Sequence, residues 1–300
     1  MNSKVQSLKD FLAGQDRLAL VEVAGTKGST PREKGAFMLV SPSATSGTIG
    51  GGQLEYMAID RARQMVASSP RRKRQGKEAR IEVDEVCATL DVPLGPEIGQ
   101  CCGGRVEVLI RLIDNAIEQR LIADAEAEEA HLPHVYIFGG GHVGQALAST
   151  IALLPVHGVV IETRAEALEG MPETVETRLT PMPEAEVRNA PAGTAFAILT
   201  HDHALDFLIV AEALKRNDAA YVGMIGSKTK KATFKNWFLK SAEGSEAEFS
   251  RLVSPIGGDA VKDKRPPVIA ALAAAEIMTA LVVHNAPSNA NRQQDKVMAG

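Results

Sequence analysis

The feature that most constrains the fold is a glycine pattern between an apolar run and a helical stretch. Residues 139–144 read GGGHVG and contain Gly-x-Gly-x-x-Gly directly after the apolar run His134–Phe138. In such a pattern Gly139 makes a tight turn, Gly141 admits a pyrophosphate, and Gly144 lets the helix pack closely on the strand. The pattern predicts the strand–turn–helix start of a Rossmann-like fold.

The residues after this start keep alternating between strand and helix patterns. Strands are predicted at 158–162, 194–199 and 219–225, and helices from the glycine pattern to about 154, at 206–215 and at 228–239. Such alternation is typical of a doubly wound parallel sheet. Glu162 ends the second strand about twenty residues after the glycine pattern, where an acidic side chain would bind a ribose hydroxyl. The fold alone does not fix the ligand.

The first part of the chain reads as mixed α and β. Strands are predicted at 17–24, 36–41, 79–83 and 105–113, and a helix after Gly52 buries Leu54, Ala58, Ala62 and Met65. A polar helix over 115–131 suits a connection between domains. We therefore predict an N-terminal domain at 1–114, a connecting helix at 115–132, a Rossmann-like domain at 133–285 and a polar tail at 286–300.

Two adjacent cysteines, Cys101 and Cys102, precede Gly103 and Gly104. Neighbouring cysteines reach disulfide geometry only with strain, and glycines let another molecule approach the backbone. The pair suits sulfur chemistry, metal ligation or cofactor binding, and it equally suits a buried pair at a tight turn. Cys87, which lies among apolar neighbours, is predicted to be buried.

Two further segments of the first part could bind an anion. Gly50, Gly51 and Gly52 precede a helix, so their amides could hold a phosphate. Arg32 follows a run of glycine and hydroxyl residues at 28–31, and its guanidinium could grip a phosphate or carboxylate. Tight turns with a surface arginine are the alternative.

The polar run Thr200–His203 follows a predicted strand of the second part. Its two histidines and Asp202 could bind a metal or move protons, or the run could line a crevice and cap the next helix. Lys228 opens another helix, where it could meet a phosphate or lie in solvent.

Composition excludes several classes of protein. A net charge of −4 and a pI near 6.0 give no electrostatic reason to expect nucleic-acid binding. Three cysteines do not make a disulfide framework, and they suit a reducing compartment. The N-terminus lacks a signal-peptide core, and the apolar stretch 268–283 is short and contains Glu276, so we expect a buried helix and no membrane span. These observations predict a cytoplasmic protein.

Taken together, these segments resemble the xanthine dehydrogenase accessory protein family, XdhC, over nearly the whole chain. The motifs that carry the resemblance are Gly28–Arg32, Gly47–Gly52, Gly99–Gly104, Phe138–Gly144, Thr200–His203, Gly223–Lys228, Ile256–Gly258 and Asp263–Pro266.

The resemblance implies a chaperone of the molybdenum cofactor, an accessory protein rather than a turnover enzyme. Family members hold this pterin cofactor while a cysteine desulfurase exchanges a molybdenum oxo ligand for sulfur, and they deliver it to apo xanthine dehydrogenase. The implied partners are the molybdenum-binding subunit of xanthine dehydrogenase, the desulfurase, proteins of cofactor biosynthesis and a second copy of the chain.

A family cysteine is implicated in cofactor binding, and we favour Cys102 as the contact to molybdenum. The residues expected to bind cofactor are Cys101, Cys102, Gly103, Gly104, Arg32, Gly50, Gly51, Gly52, Gly139, Gly141, His142, Gly144 and Glu162. The chain departs from relatives at Gly140, where they often have alanine, and at Glu162, where many have aspartate. The alternative function is an NAD(P)-dependent oxidoreductase that uses the Rossmann half; NAD(P) is not expected as the cofactor.

Overall fold

The computed structural model describes residues 4–68, 87–95 and 103–286. The chain divides into two compact units, Ser3–Glu128 and Glu129–Gly300. We call them the N-terminal unit and the C-terminal unit. The predicted strand at 79–83 lies outside the described residues, as do Cys101, Cys102 and the tail beyond Ala286.

The N-terminal unit contains a five-stranded antiparallel sheet in the order β3-β2-β1-β5-β4. Its elements are α1 (Lys4–Ala13), β1 (Ala19–Lys27), β2 (Phe37–Val40), β3 (Thr45–Gly47), α2 (Gly52–Ser68), β4 (Cys87–Pro93), β5 (Arg105–Leu112) and α3 (Asn115–Ala130).

Helices cover both faces of this sheet. On one face α2 buries Leu54, Ala58, Ala62 and Met65, as its sequence period predicts, against alternate residues of the strands. On the other face residues of α1 and α3 pack together, with Leu121 of α3 buried in the same cluster. This three-layer arrangement leaves the loops at the strand ends to form a site.

The C-terminal unit contains a six-stranded parallel sheet in the order β11-β10-β9-β6-β7-β8. Its strands are β6 (His134–Phe138), β7 (His157–Glu162), β8 (Glu176–Leu179), β9 (Ala195–Ile198), β10 (Tyr221–Met224) and β11 (Leu252–Val253). Its helices are α4 (His142–Ile151), α5 (Pro183–Asn189), α6 (His203–Lys215), α7 (Lys228–Ser241), α8 (Glu246–Ser250) and α9 (Pro266–Asn285), with a short 3₁₀ turn at Ala165–Leu168.

The strand order confirms the predicted Rossmann-like sheet. Read from the first strand of the unit, it is the 3-2-1-4-5-6 order typical of dinucleotide-binding folds. The order reverses between β6 and β9, so the crevice for a ligand lies above the carboxyl ends of these two strands. The helices α4 and α9 cover one face of the sheet, while α5, α6 and α7 cover the other.

The apolar stretch 268–283 forms most of α9, which begins at two prolines that suit a first helical turn. Among the described residues it is the one helix long and apolar enough to cross a membrane by length and composition. Its residues Ala270, Ala273, Ile277 and Leu281 are buried in the core against the sheet and α4. The prediction of a buried helix is thus confirmed for one side of α9 only, since Val282 and Val283 on it are exposed.

Candidate functional site

Two segments of the N-terminal unit meet backbone to backbone at the end of the β4–β5 hairpin. A β-carbon on Gly104 would lie 2.1 Å from the carbonyl oxygen of Ser29 and 2.7 Å from that of Lys27. Gly28 has φ +72°, and a β-carbon on it would lie 3.3 Å from the α-carbon of Gly104. Only glycine fits this contact, so the glycines at 28 and 104 hold the two segments together.

The third glycine segment of this unit joins the same place. Gly50 has φ +129°, and a β-carbon on it would lie 2.5 Å from the side chain of Pro31. The side chain of Arg32 is next to this contact and is exposed. Arg32 forms no ion pair with any residue that the structure describes. The segments at 28–32, 50–52 and 103–104, which are far apart in sequence, therefore converge.

The amides before α2 are already bonded to a side chain of the same helix. Glu55 accepts hydrogen bonds from the backbone N–H groups of Ile49 at 2.9 Å and Gly51 at 3.0 Å, and from the hydroxyl of Thr48. Burial raises the pKa of Glu55, but these hydrogen bonds outweigh it and hold the pKa below its usual value. Of the amides predicted to hold a phosphate, that of Gly51 is thus bonded to Glu55, and that of Gly50 donates to the hydroxyl oxygen of Thr48.

Cys101 and Cys102 lie outside the described residues, so their role stays a prediction. The next residue, Gly103, is exposed with φ +66°, and no atom lies within 4 Å of the place a β-carbon would take. Its N–H donates to the carbonyl of Leu94, which closes the hairpin. The chain after Cys102 is thus fixed at an open edge of the converging segments.

The prediction that Cys87 is buried is wrong, because this thiol is exposed. Cys87 begins β4, which is an edge strand with one solvent-facing side. Alternate residues of such a strand point to solvent whatever their neighbours in sequence.

In the C-terminal unit the three glycines of the pattern take the positions that their spacing predicts. Gly139 has φ +110°, and a β-carbon on it would lie 2.7 Å from the carbonyl oxygen of Leu199. A β-carbon on Gly144 would lie 1.9 Å from the Gly139 carbonyl oxygen. Gly141 has open space around it, and no side chain caps the start of α4. The exposed backbone before α4 is therefore free for a ligand to approach, and His142 is exposed beside it.

Glu162 lies at the end of β7, as predicted, and its carboxylate is 4% exposed. It accepts hydrogen bonds from the N–H groups of Gly140 at 2.9 Å and Thr163 at 2.8 Å, and it pairs with Arg164 at 3.2 Å. Burial raises the pKa of Glu162, yet these bonds, chiefly that from Arg164, lower it to about 2. The carboxylate binds this chain's own donors at the place where a ribose would bind.

The departure at Gly140 has a structural reason. A β-carbon there would lie 2.2 Å from the carbonyl oxygen of Ala167 in the 3₁₀ turn that follows β7. Alanine at this position would force that turn to shift. The connection after β7 thus packs directly on the glycine loop and helps to bury Glu162.

The run Thr200–His203 caps a helix. The carboxylate of Asp202 accepts hydrogen bonds from the N–H groups of Ala204 and Leu205 at the start of α6. Within the described ranges no group of three or more histidine, cysteine or acidic residues could hold a metal ion. The cap interpretation is confirmed for Asp202, while His201 and His203 are exposed.

Sequence reasoning missed a buried ion pair at the same edge of the sheet. Asp206 of α6 is fully buried and pairs with Lys230 of α7. Asp206 also accepts from the N–H of Thr200 at 3.1 Å, and Lys230 donates to the carbonyl of Ile225 at 3.0 Å. Asp206 on α6 thus holds the loop after β9, and Lys230 on α7 holds the loop after β10. No spacing in the sequence signals this pair. Lys228, by contrast, is 88% exposed and lies 3.9 Å from Asp259.

Two family models match the chain. The model described as the XdhC Rossmann domain matches residues 135–277, and that described as the XdhC and CoxI family matches residues 11–76. The first range begins in β6 and ends in α9, so it covers the parallel sheet and its glycine loop. The second includes the segments at 28–32 and 50–52.

The chain is also similar to a curated protein in sequence and to a solved structure in fold. The uncharacterized protein YqeB of Escherichia coli strain K12 is 26% identical over 278 residues, which make up 90% of this chain and 44% of that protein. The chain thus spans less than half the length of this curated relative. A solved structure named as a xanthine dehydrogenase from Bacillus halodurans superimposes with a TM-score of 0.73 at 16% identity, and it covers 95% of this chain and 98% of that chain.

Proposed function

The chain belongs to the XdhC family, and from this premise we propose that it acts in the maturation of xanthine dehydrogenase. In this proposal it is a cytoplasmic chaperone that binds the molybdenum cofactor as cargo during sulfuration by a cysteine desulfurase. It then delivers the cargo to the molybdenum-binding subunit of apo xanthine dehydrogenase. The chain itself would turn over no substrate.

The observation that carries the proposal is the convergence of the segments at 28–32, 50–52 and 103–104 in the N-terminal unit. Glycines there bring backbones together and leave open space beside Gly51 and Gly103. A planar pterin needs such an open backbone edge, and its phosphate needs a cation. Arg32, exposed and without an ion pair in the described part of the chain, supplies one at that edge.

Cys102, which directly precedes Gly103 in the sequence, is the proposed contact to the molybdenum. A thiolate is a soft anionic donor that suits this metal or protects its sulfur ligand. The amides before α2 are less suited to the phosphate, since Glu55 already accepts from them. The proposal therefore assigns the phosphate to Arg32 and leaves the amides to Glu55.

A panel of three cysteine variants tests the function. Cys102→Ala should lower the cofactor retained by the purified protein at least tenfold, and Cys101→Ala should lower it less. Cys87→Ala is the matched control, because its thiol is exposed in the same unit on another strand. We would measure bound molybdenum and pterin per chain after incubation with the cofactor. Wild-type occupancy in Cys102→Ala would overturn the assignment.

A second candidate, an NAD(P)-dependent oxidoreductase, is favoured by the open backbone at Gly141 and the strand order of the C-terminal unit. The bonds of Glu162 to Arg164 and to the glycine loop weigh against it, because a ribose would have to displace them. A fluorescence titration with NADH and NADPH separates the two functions. Tight nicotinamide binding without pterin binding would reverse their order.

A further inference from the structure

One aromatic ring of the N-terminal unit is exposed and unpaired. In the part of the chain that the structure describes, the exposed aromatic side chains are Phe37, at 37%, and Tyr56, at 70%. Tyr56 forms no hydrogen bond, ring contact or cation–π contact with another described residue. Single exposed rings are common on protein surfaces, so the interest of Tyr56 lies in where its ring stands.

Tyr56 lies beside the converging segments. It comes one helical turn after Gly52 on the same side of α2, since residues four apart lie one above the other on a helix. Helical side chains lean toward the N-terminus and cover the preceding turn, which here begins at Gly52. Glu55 leans this way, because its carboxylate accepts from the N–H of Gly51 at 3.0 Å. The ring of Tyr56 therefore leans toward the segment at 50–52.

The surface toward which the ring leans is bare backbone. Gly51 and Gly52 have no side chains, and a β-carbon on Gly51 would meet open space. The side chain of Arg32 lies next to Gly50, is exposed and has no ion pair in the described part of the chain. A flat aromatic face, an open strip of backbone and a cation thus occupy the same edge of the unit.

These groups match the parts of a pterin phosphate. A planar heteroaromatic ring stacks on a tyrosine face without needing a particular hydrogen bond, and a phosphate needs a cation. A protein partner fits less well, because a docking patch needs several adjoining apolar side chains. The exposed neighbours of Tyr56 on α2 are Gly52, Gln53, Met57 and Asp60, of which Met57 alone has a large apolar side chain.

We propose that Tyr56 is the platform on which the pterin ring of the cargo stacks, while Arg32 holds the phosphate. This inference rests on the proposed function and adds to it the residue that positions the ring. The contact uses the face of the aromatic ring, so phenylalanine should replace Tyr56. Leucine should not replace it, because leucine keeps an apolar surface but has no flat face.

Two measurements on the full chain test the platform. The first is the molybdenum and pterin retained per chain after incubation with the cofactor. The second is titration with free hydroxymethylpterin, which has neither molybdenum nor phosphate, followed by the anisotropy of its fluorescence. Tyr56→Ala and Tyr56→Leu should each weaken pterin binding at least tenfold and lower retention, whereas Tyr56→Phe should stay within about twofold of the wild type.

Phe37→Leu is the matched control, because it removes an exposed aromatic ring of the same unit from the other face of the sheet. Leu39, two residues further along β2, packs in the cluster with α1 and α3, so Phe37 points away from α2. This variant should bind as the wild type does. Thermal unfolding checks that the Tyr56 variants fold, and their midpoints should not change, since the ring is 70% exposed.

Wild-type binding by Tyr56→Ala would overturn the inference, as would a loss in Tyr56→Phe equal to that in Tyr56→Leu. So would a wild type that retains the cofactor but does not bind the free pterin. If Cys102→Ala loses the cofactor while Tyr56→Ala keeps it, the proposed function stands without this platform. A wild type that retains no cofactor would overturn the proposed function, and the inference with it.

Discussion

Two glycine-rich helix starts that look equivalent in sequence differ in what their backbone amides bind. Before α2, Glu55 from the first turn of the same helix accepts from Ile49 and Gly51. Before α4, the first turn has no acid, and Glu162 from the neighbouring strand reaches only Gly140. The amides at the start of α4 thus stay open, while those of Ile49, Gly50 and Gly51 before α2 are bonded to side chains of the same segment. Glycines before a helix are therefore an anion site only if no nearby side chain takes the amides.

The largest effect should come from closing the tightest glycine contact. Gly144→Ala should lower the free energy of unfolding by about 3 kcal/mol, because its β-carbon would overlap the Gly139 carbonyl oxygen, a backbone atom that cannot move away alone. Gly141→Ala is the control, with open space and an ordinary φ of −69°. It should change the free energy of unfolding by less than about 1 kcal/mol. Alanine restricts the unfolded chain, which favours folding, and this gain offsets its weaker N-capping of α4. Urea unfolding of both variants measures these losses. An equal loss of the free energy of unfolding in Gly144→Ala and Gly141→Ala would contradict the roles assigned to these glycines.

The next effect concerns Glu162 and depends on pH. Folding lowers the pKa of this carboxylate from 4.5 to about 2. The ionised carboxylate therefore adds about 3 kcal/mol to the free energy of unfolding above pH 4.5, and this contribution is lost as the pH falls toward 2. Glu162→Gln should therefore be less stable than the wild type by about this amount at pH 7, and the difference should shrink by more than half at pH 3. Urea unfolding at the two pH values measures it. A difference independent of pH would show that the carboxylate charge is not what stabilises the loop.

The smallest effect should come from Glu55, which is only partly buried. Glu55→Gln should cost about 1 kcal/mol, since the weaker acceptor still reaches the same N–H groups. If the amides before α2 are a ligand site after all, the same variant should bind inorganic phosphate more tightly. Calorimetric titration of Glu55→Gln with phosphate decides this, and the assignment of the phosphate to Arg32 predicts no gain.

Sequence periodicity predicted most of the fold because buried faces repeat regularly. The strands β6, β7, β9 and β10 are apolar on both faces and were predicted within a few residues. The strand β8, Glu176–Leu179, was missed because this edge strand alternates charged and apolar residues and is only partly buried. Short elements such as α5 and β11 carry too few residues to show a period.

The geometry of the site was predictable only where the residue type determines the backbone conformation. Positive φ and close backbone contacts at Gly50, Gly104 and Gly139 follow from glycine itself. The glycines do not determine which side chains bind the backbone groups around them. The bonds of Glu55 had a sequence signal, an acid in the first turn after the glycines, but the pair of Asp206 and Lys230 joins two helices and had none.

In the proposed function the cargo binds at the converging segments of the N-terminal unit and leaves the glycine loop of the C-terminal unit free. Anomalous scattering at the molybdenum absorption edge, from crystals of the chain loaded with molybdenum cofactor, locates the metal directly. We predict a single anomalous peak beside Gly103, on the side of Arg32. A peak beside Gly141 at the start of α4, with none near Gly103, would contradict it.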